Sequence, residues 1–257
     1  MIVRSFVLAA SIAMLCGPDA SAQERLVATY GEARTNLAFR IPEEIVQKIL
    51  PPGWLSSPFT TGPSKGANLT VTFMDWLTVQ EPDGTPGKTY RSAGVSAPAK
   101  RSGTDATVSM SIAGLSSPSG YAPGPYRNSV TARSTVARTL RTDDQDVSRA
   151  EEVWHFEAEN GESIQLELQF VRGVAARSKL ESKVHSAAHP DFYRIYRVEQ
   201  AVDVIRGADG TDRVQRYLFK ASGPLLSTVF DGSEQLVSII SLPWFSRQAF
   251  LPVSHAE

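Results

Sequence analysis

The sequence predicts a mainly β fold, an antiparallel barrel or sandwich with one or two short peripheral helices, on three observations. Apolar and polar residues alternate over many short stretches, Gly/Pro/Asn turn chemistry separates those stretches, and helical periodicity is confined to short segments such as Ile45, Val46, Ile49 and Leu50. A barrel of this size is wide enough to hold one small ligand.

In chain order, residues 1–22 read as a secretory signal. Arg4 precedes the apolar run from Phe6 to Leu15, and Ala20-Ser21-Ala22 offers a small-x-small cleavage site before Gln23. The run is too short to span a bilayer, so residues 23–257 are expected as a single periplasmic or secreted domain with no membrane insertion. Leu26 to Tyr30 and Asn36 to Arg40 read as two strands joined by a turn at Gly31. Pro42, Glu43 and Glu44 suit a helix start, and Pro51-Pro52-Gly53 stops that helix. Residues 56–68 read as an outer loop, and Leu69 to Val79 as a long strand. Tyr90 to Ala97 and Thr107 to Ala113 follow as strands, and residues 114–128 form the longest Pro/Gly/Ser-rich loop, of a length that leans towards function. Residues 151–171 form a hairpin about Asn160-Gly161, with Ile164, Leu166, Leu168 and Phe170 on its apolar face. Lys179 and Lys183 fall in a polar helical stretch. Val198 to Ile205 and Arg213 to Lys220 read as a second hairpin, and Leu225 to Phe230 and Glu234 to Leu242 as closing strands.

Composition narrows the function. The net charge of -1, with both signs spread along the chain, gives no footprint for nucleic acid or an anionic membrane; a small molecule or another protein, a second copy of the chain included, remains as partner. Cys16 is the only cysteine and lies in the signal, so the mature chain has no thiol nucleophile, disulfide framework or cysteine zinc site.

The segment Phe39-Arg40-Ile41-Pro42 with its helix and Leu50-Pro51 turn, the extended stretch 69–77, the Asn160-Gly161 hairpin, and Ser222-Gly223-Pro224-Leu225 followed by Leu242-Pro243 together resemble the acetoacetate decarboxylase-like family. The resemblance implies a β barrel or cone around a largely apolar pocket, used without a cofactor on a small carboxylate or keto compound. In that family a lysine forms a Schiff base and an adjacent lysine depresses its pKa. This sequence has no Lys-Lys pair, and Arg127 stands near the lysine's place; a guanidinium cannot form the imine. Lys100, beside Arg101, and Lys220, at a strand end, are the lysines considered as replacements. The family's carboxylate-holding arginine points to Arg34 and Arg40, an even number of steps apart on extended chain. Ser92 occupies a glutamate position of the family, and Asp75 is the best remaining acid. The expected catalytic set is therefore Arg127, Asp75, Lys100 and Lys220, with Arg34, Arg40, Trp76 and Tyr126 on the substrate. The alternative is a non-catalytic binding protein for a lipophilic small molecule.

Other chemistry is thin. His185 and His189 would share a helix face, but solvent-facing histidines are the simpler reading and no metal site is expected. No Gly-x-Ser-x-Gly elbow or glycine-rich nucleotide loop is present.

Overall fold

The first strand does not turn at Gly31. In the computed structural model, which describes residues 24–252, β1 runs unbroken over Glu24–Arg40 and Gly31 pairs with Thr78 across the ladder. A Cβ at Gly31 would lie 2.5 Å from Thr78 Oγ1, so the glycine serves close strand approach and not reversal. The signal-like segment and Cys16 lie outside the described residues.

Helix α1 (Glu43–Ile49) follows, then β2 (Trp54–Ser56), β3 (Leu69–Gln80), β4 (Tyr90–Arg101), β5 (Thr107–Ser116) and β6 (Ser129–Thr142). The chain continues through β7 (Ser148–Ala158), β8 (Ser163–Val171), β9 (Ala176–Ser186), β10 (Tyr193–Arg206), β11 (Val214–Ser222), α2 (Leu226–Val229) and β12 (Gln235–Pro252). Pairings lead from β5 through β9, β10, β12, β1, β3 and β4 and return to β5, so the ladder closes into a ring. Strands β6, β7, β8 and β11 continue from β5 as a second layer. Pairing is antiparallel except where β5 meets β6 and β9, each over three residue pairs in parallel. No helix among the described residues is long and apolar enough to cross a membrane.

Period-two alternation gives the ring two faces. Leu37, Phe39, Leu69, Val71 and Phe73 point outward into the main core, where they meet Trp154, Phe156, Ile164 and Leu166 of the second layer. Phe73 and Trp154 lie 5.7 Å apart between ring centroids, and Phe39 and Phe219 lie 5.1 Å apart. One buried carboxylate ties the layers: Glu152 accepts hydrogen bonds from Thr35 Oγ1 of β1 (2.6 Å) and Trp154 Nε1 (3.0 Å), and pairs with Arg138 (3.1 Å). Helix α1 is too short to stand alone. Val46 and Leu50 anchor it on the core, and buried Asn68 both accepts from the Ile41 N–H and donates to its carbonyl, each at 2.8 Å.

The hairpin about Gly161 (φ 88°) and the extended β3 and β4 are as expected. Four expectations are corrected. The Lys179–Lys183 stretch is strand, not helix, because antiparallel pairing of β9 with β10, from Ala176 opposite Val202 to His185 opposite Tyr193, overrides its polar composition. Leu225 to Phe230 contains the turn of helix α2, with Glu162 accepting from the Leu225 and Leu226 N–H groups. The β10–β11 hairpin is confined to its turn, closed by the Arg206–Asp212 bridge; beyond it β11 pairs with β8, and β10 with β9 and β12. Finally, β12 continues past Leu242-Pro243 to Pro252, because Pro243 sits at a bulge where β1 shifts register between Glu32 and Arg34 and needs no ladder N–H there.

Candidate functional site

The inward face of the ring bounds a cavity of about 730 Å³. Residues Tyr30 and Arg34 of β1, Thr72, Met74 and Trp76 of β3, Arg194 and Tyr196 of β10, and Phe245 and Arg247 of β12 line one side. Serines and glycines of β4 and β5 line the other, and the 117–128 loop contributes Tyr126.

Behind the lining sits Glu32, only 2% exposed. Its Oε2 accepts from Arg34 Nε at 2.6 Å, and its Oε1 is ion-paired with Arg247 Nε at 2.9 Å. Both arginines thus turn Nε to one carboxylate, which fixes the two guanidinium planes while their side chains are 12% and 11% exposed. Arg34 Nη2 is buried without a hydrogen-bond partner. Aromatic faces hold the cations further. Phe245 lies 3.6 Å from the Arg34 guanidinium, and Tyr196, Trp76 and Tyr30 surround Arg247 at 4.4, 4.7 and 5.0 Å. Trp76 is itself fixed by stacking on Tyr90 at 4.5 Å and by donating from Nε1 to Ser92 Oγ at 2.9 Å.

Burial pulls the Arg34 guanidinium below its ordinary value, with Glu32 opposing; arginine remains a cation at neutral pH regardless. For Arg247 burial also works against charge, but Glu32 followed by Tyr196, Tyr30 and Tyr126 outweighs it and the guanidinium is raised.

The Tyr126 hydroxyl shares a 2.7 Å hydrogen bond with that of Tyr196, and the Tyr126 carbonyl accepts from Ser186 Oγ at 2.6 Å, so the loop is pinned over the cavity. Burial first, then Tyr196, raises the Tyr126 phenol; burial, then Tyr196, raises Tyr30; burial raises Tyr90. Linkage gives the sign. An unfolded tyrosine ionises near about 10, whereas these phenols hold their protons to higher pH in the fold. Their contribution is complete below the unfolded value and is lost as pH rises through the folded one. Urea midpoints are therefore expected to fall as pH climbs past about 10, and Tyr126→Phe is expected to flatten that fall; an unchanged slope would remove Tyr126 from the explanation.

Of the residues singled out from sequence, Arg34, Trp76 and Tyr126 meet around the cavity, and so does Ser92. Arg40 is exposed at the end of β1. Asp75 points to the opposite face of β3 from Met74 and Trp76 and pairs with Arg91 at 2.9 Å. Arg127 is exposed in left-handed backbone (φ 52°) beyond the lining. Lys100 pairs across β2 and β5 at the end of β4, and Lys220 is exposed on β11; no lysine lines the cavity among the described residues. Sequence reasoning missed Glu32, Arg194, Arg247 and the tyrosines Tyr30, Tyr90 and Tyr196. The polar groups stand among apolar lining residues such as Val27, Met74, Leu115, Val198 and Phe245. His185 lies on β9 with Nδ1 2.9 Å from the Pro190 carbonyl, and His189 lies beyond the strand, so the shared helix face does not exist. No group of three or more His, Cys, Asp or Glu able to hold a metal occurs among the described residues.

No protein-family model and no curated protein matches the chain. Among solved structures it is similar to the enduracididine biosynthesis enzyme MppR with HEPES buffer bound, at 11% identity over 91% of this chain and 88% of that one, TM-score 0.53. It is also similar to MppR complexed with pyruvate, at 12% identity over 91% of each chain, TM-score 0.52. A third likeness is to an acetoacetate decarboxylase-like enzyme from Sphingomonas wittichii RW1, at 12% identity over 94% of this chain and 98% of that one, TM-score 0.51. The fold is acetoacetate decarboxylase-like; at these identities the likeness is one of fold.

Proposed function

We propose that the chain is an exported protein that binds a small carboxylate or keto acid in the barrel cavity, without forming a lysine imine. The supporting observation is the Glu32-braced pair of guanidinium groups, Arg34 and Arg247, at the cavity wall. Both arginines line the cavity, and two guanidinium groups held by one carboxylate leave an excess of positive charge there that an incoming carboxylate offsets. The similarity to a pyruvate complex of MppR supports the same ligand class. The lining carries no lysine among the described residues, which favours binding over Schiff-base decarboxylation. Its hydroxyl groups favour a polar ligand over the lipophilic one.

Calorimetric titration with pyruvate, acetoacetate and longer carboxylates, each followed by borohydride reduction and mass measurement, tests this. Saturable binding with no mass increase is expected. A reduced adduct on Lys100, Lys220 or any other lysine would restore the imine route and overturn the reading.

A further inference from the structure

We propose that the ligand is a polyhydroxylated carboxylate, a sugar acid, whose carboxylate meets Arg34 and Arg247 while its hydroxyls run along the β4–β5 wall. The inference rests on the carboxylate reading above and adds the chemistry of the rest of the molecule.

That wall is patterned. On β4 Ser92, Gly94 and Ser96 alternate with Ala93, Val95 and Ala97 of the core, of which Ala93 and Val95 also border the cavity. On β5 the alternating residues are Ser109 and Ser111, against Met110 and Ile112 in the core. Ser96 pairs directly with Ser111, and Ser116 and Ser129 extend the row. Small residues at every inward position keep the wall open, and Gly94 faces Gly114 across the ladder. A Cβ at Gly114 would meet Ser129 Oγ at 2.5 Å, so the glycine leaves room for that serine in the row.

A wall kept open for a wholly apolar ligand would carry alanine at the alternating positions that here carry serine. Serine instead supplies a donor and an acceptor at each position, matching the hydroxyls of a polyol. Ser116 Oγ is buried, in a residue 5% exposed, with no hydrogen-bond partner. Size agrees. At about 30 Å³ per water the cavity of about 730 Å³ holds on the order of twenty water-sized groups, far beyond the roughly six or seven heavy atoms of a short keto acid.

The test compares calorimetric affinities for glucuronate, hexanoate and glucose, which separate charge from hydroxyls. Glucuronate is expected to bind at least about 10-fold more tightly than either of the others. Hexanoate binding as tightly as glucuronate would overturn the sugar-acid inference and leave the carboxylate reading standing. Glucose matching glucuronate, or no binding by any probe, would overturn the carboxylate reading itself. Ser96→Ala and Ser109→Ala, at partly exposed positions that folding tolerates, are each expected to weaken glucuronate about 5-fold with hexanoate unchanged. Equal losses for both ligands, or none for either, would sink the proposed contacts.

Discussion

Glu32→Ala is expected to lower the stability of the free protein and raise its affinity for anions. Glu32 is the carboxylate on which Arg34 and Arg247 both close, at 2.6 and 2.9 Å, from a position 2% exposed. Removing one partner of a buried pair costs about 3–5 kcal/mol, because the remaining charge stays without compensation. Here two cations are stranded, but they border an open cavity and water reaches them, which sets the expectation at the lower end, about 3 kcal/mol. The same stranded charge draws an anion more strongly. Saturating carboxylate should therefore restore part of the lost urea stability, following the logarithm of ligand concentration over Kd. Glu32→Gln keeps the shape and an accepting oxygen and should fall between. A loss of stability that no carboxylate relieves would mean that Glu32 holds the β1–β12 seam alone, with no bearing on a ligand.

The parts of the fold legible in the sequence are those where local pattern and tertiary role agree. The Asn160-Gly161 hairpin reads directly because its turn needs φ above zero at Gly161 and its strands are covered on one face. Helix α1 reads directly because prolines bound it and one stripe is apolar. Misreadings arise where a residue with a strong local meaning is used for a non-local purpose. Gly31 resembles a turn but permits Thr78 to approach, and breaking β1 there hid the run Tyr30, Glu32, Arg34 on one face. Pro243 resembles a strand end but occupies a bulge, and stopping β12 there hid Arg247. The signal that would have found both is parity carried across the interruption: a charged residue every second position on otherwise apolar strand marks an inward polar face. The β8–β11 pairing had no local signal, since the Gly207–Gly210 turn between β10 and β11 looks like a hairpin whichever strand receives β11.

The second large effect is expected at Arg247. Arg247→Ala removes the cation that Tyr196, Trp76 and Tyr30 surround and the donor that faces the cavity, but leaves Glu32 paired with Arg34. Stability should therefore suffer less than in Glu32→Ala, while carboxylate affinity should fall on the order of 100-fold, the equivalent of one charge-assisted hydrogen bond of up to about 3 kcal/mol. Arg247→Lys separates charge from shape, since an ammonium carries the charge without the planar fork and cannot span both Glu32 and a ligand in the same way. It should recover less than half of the lost binding free energy. The void left by Arg247→Ala keeps its aromatic walls and Glu32, so free guanidinium, at concentrations far below denaturing, should re-enter it and restore carboxylate affinity where methylammonium does not. Rescue by both cations equally would mean that Arg247 acts as a point charge and that the ring of aromatic faces has no part in orienting it. Wild-type affinity in Arg247→Ala would place the carboxylate elsewhere in the cavity and remove the paired-guanidinium basis of the proposed function.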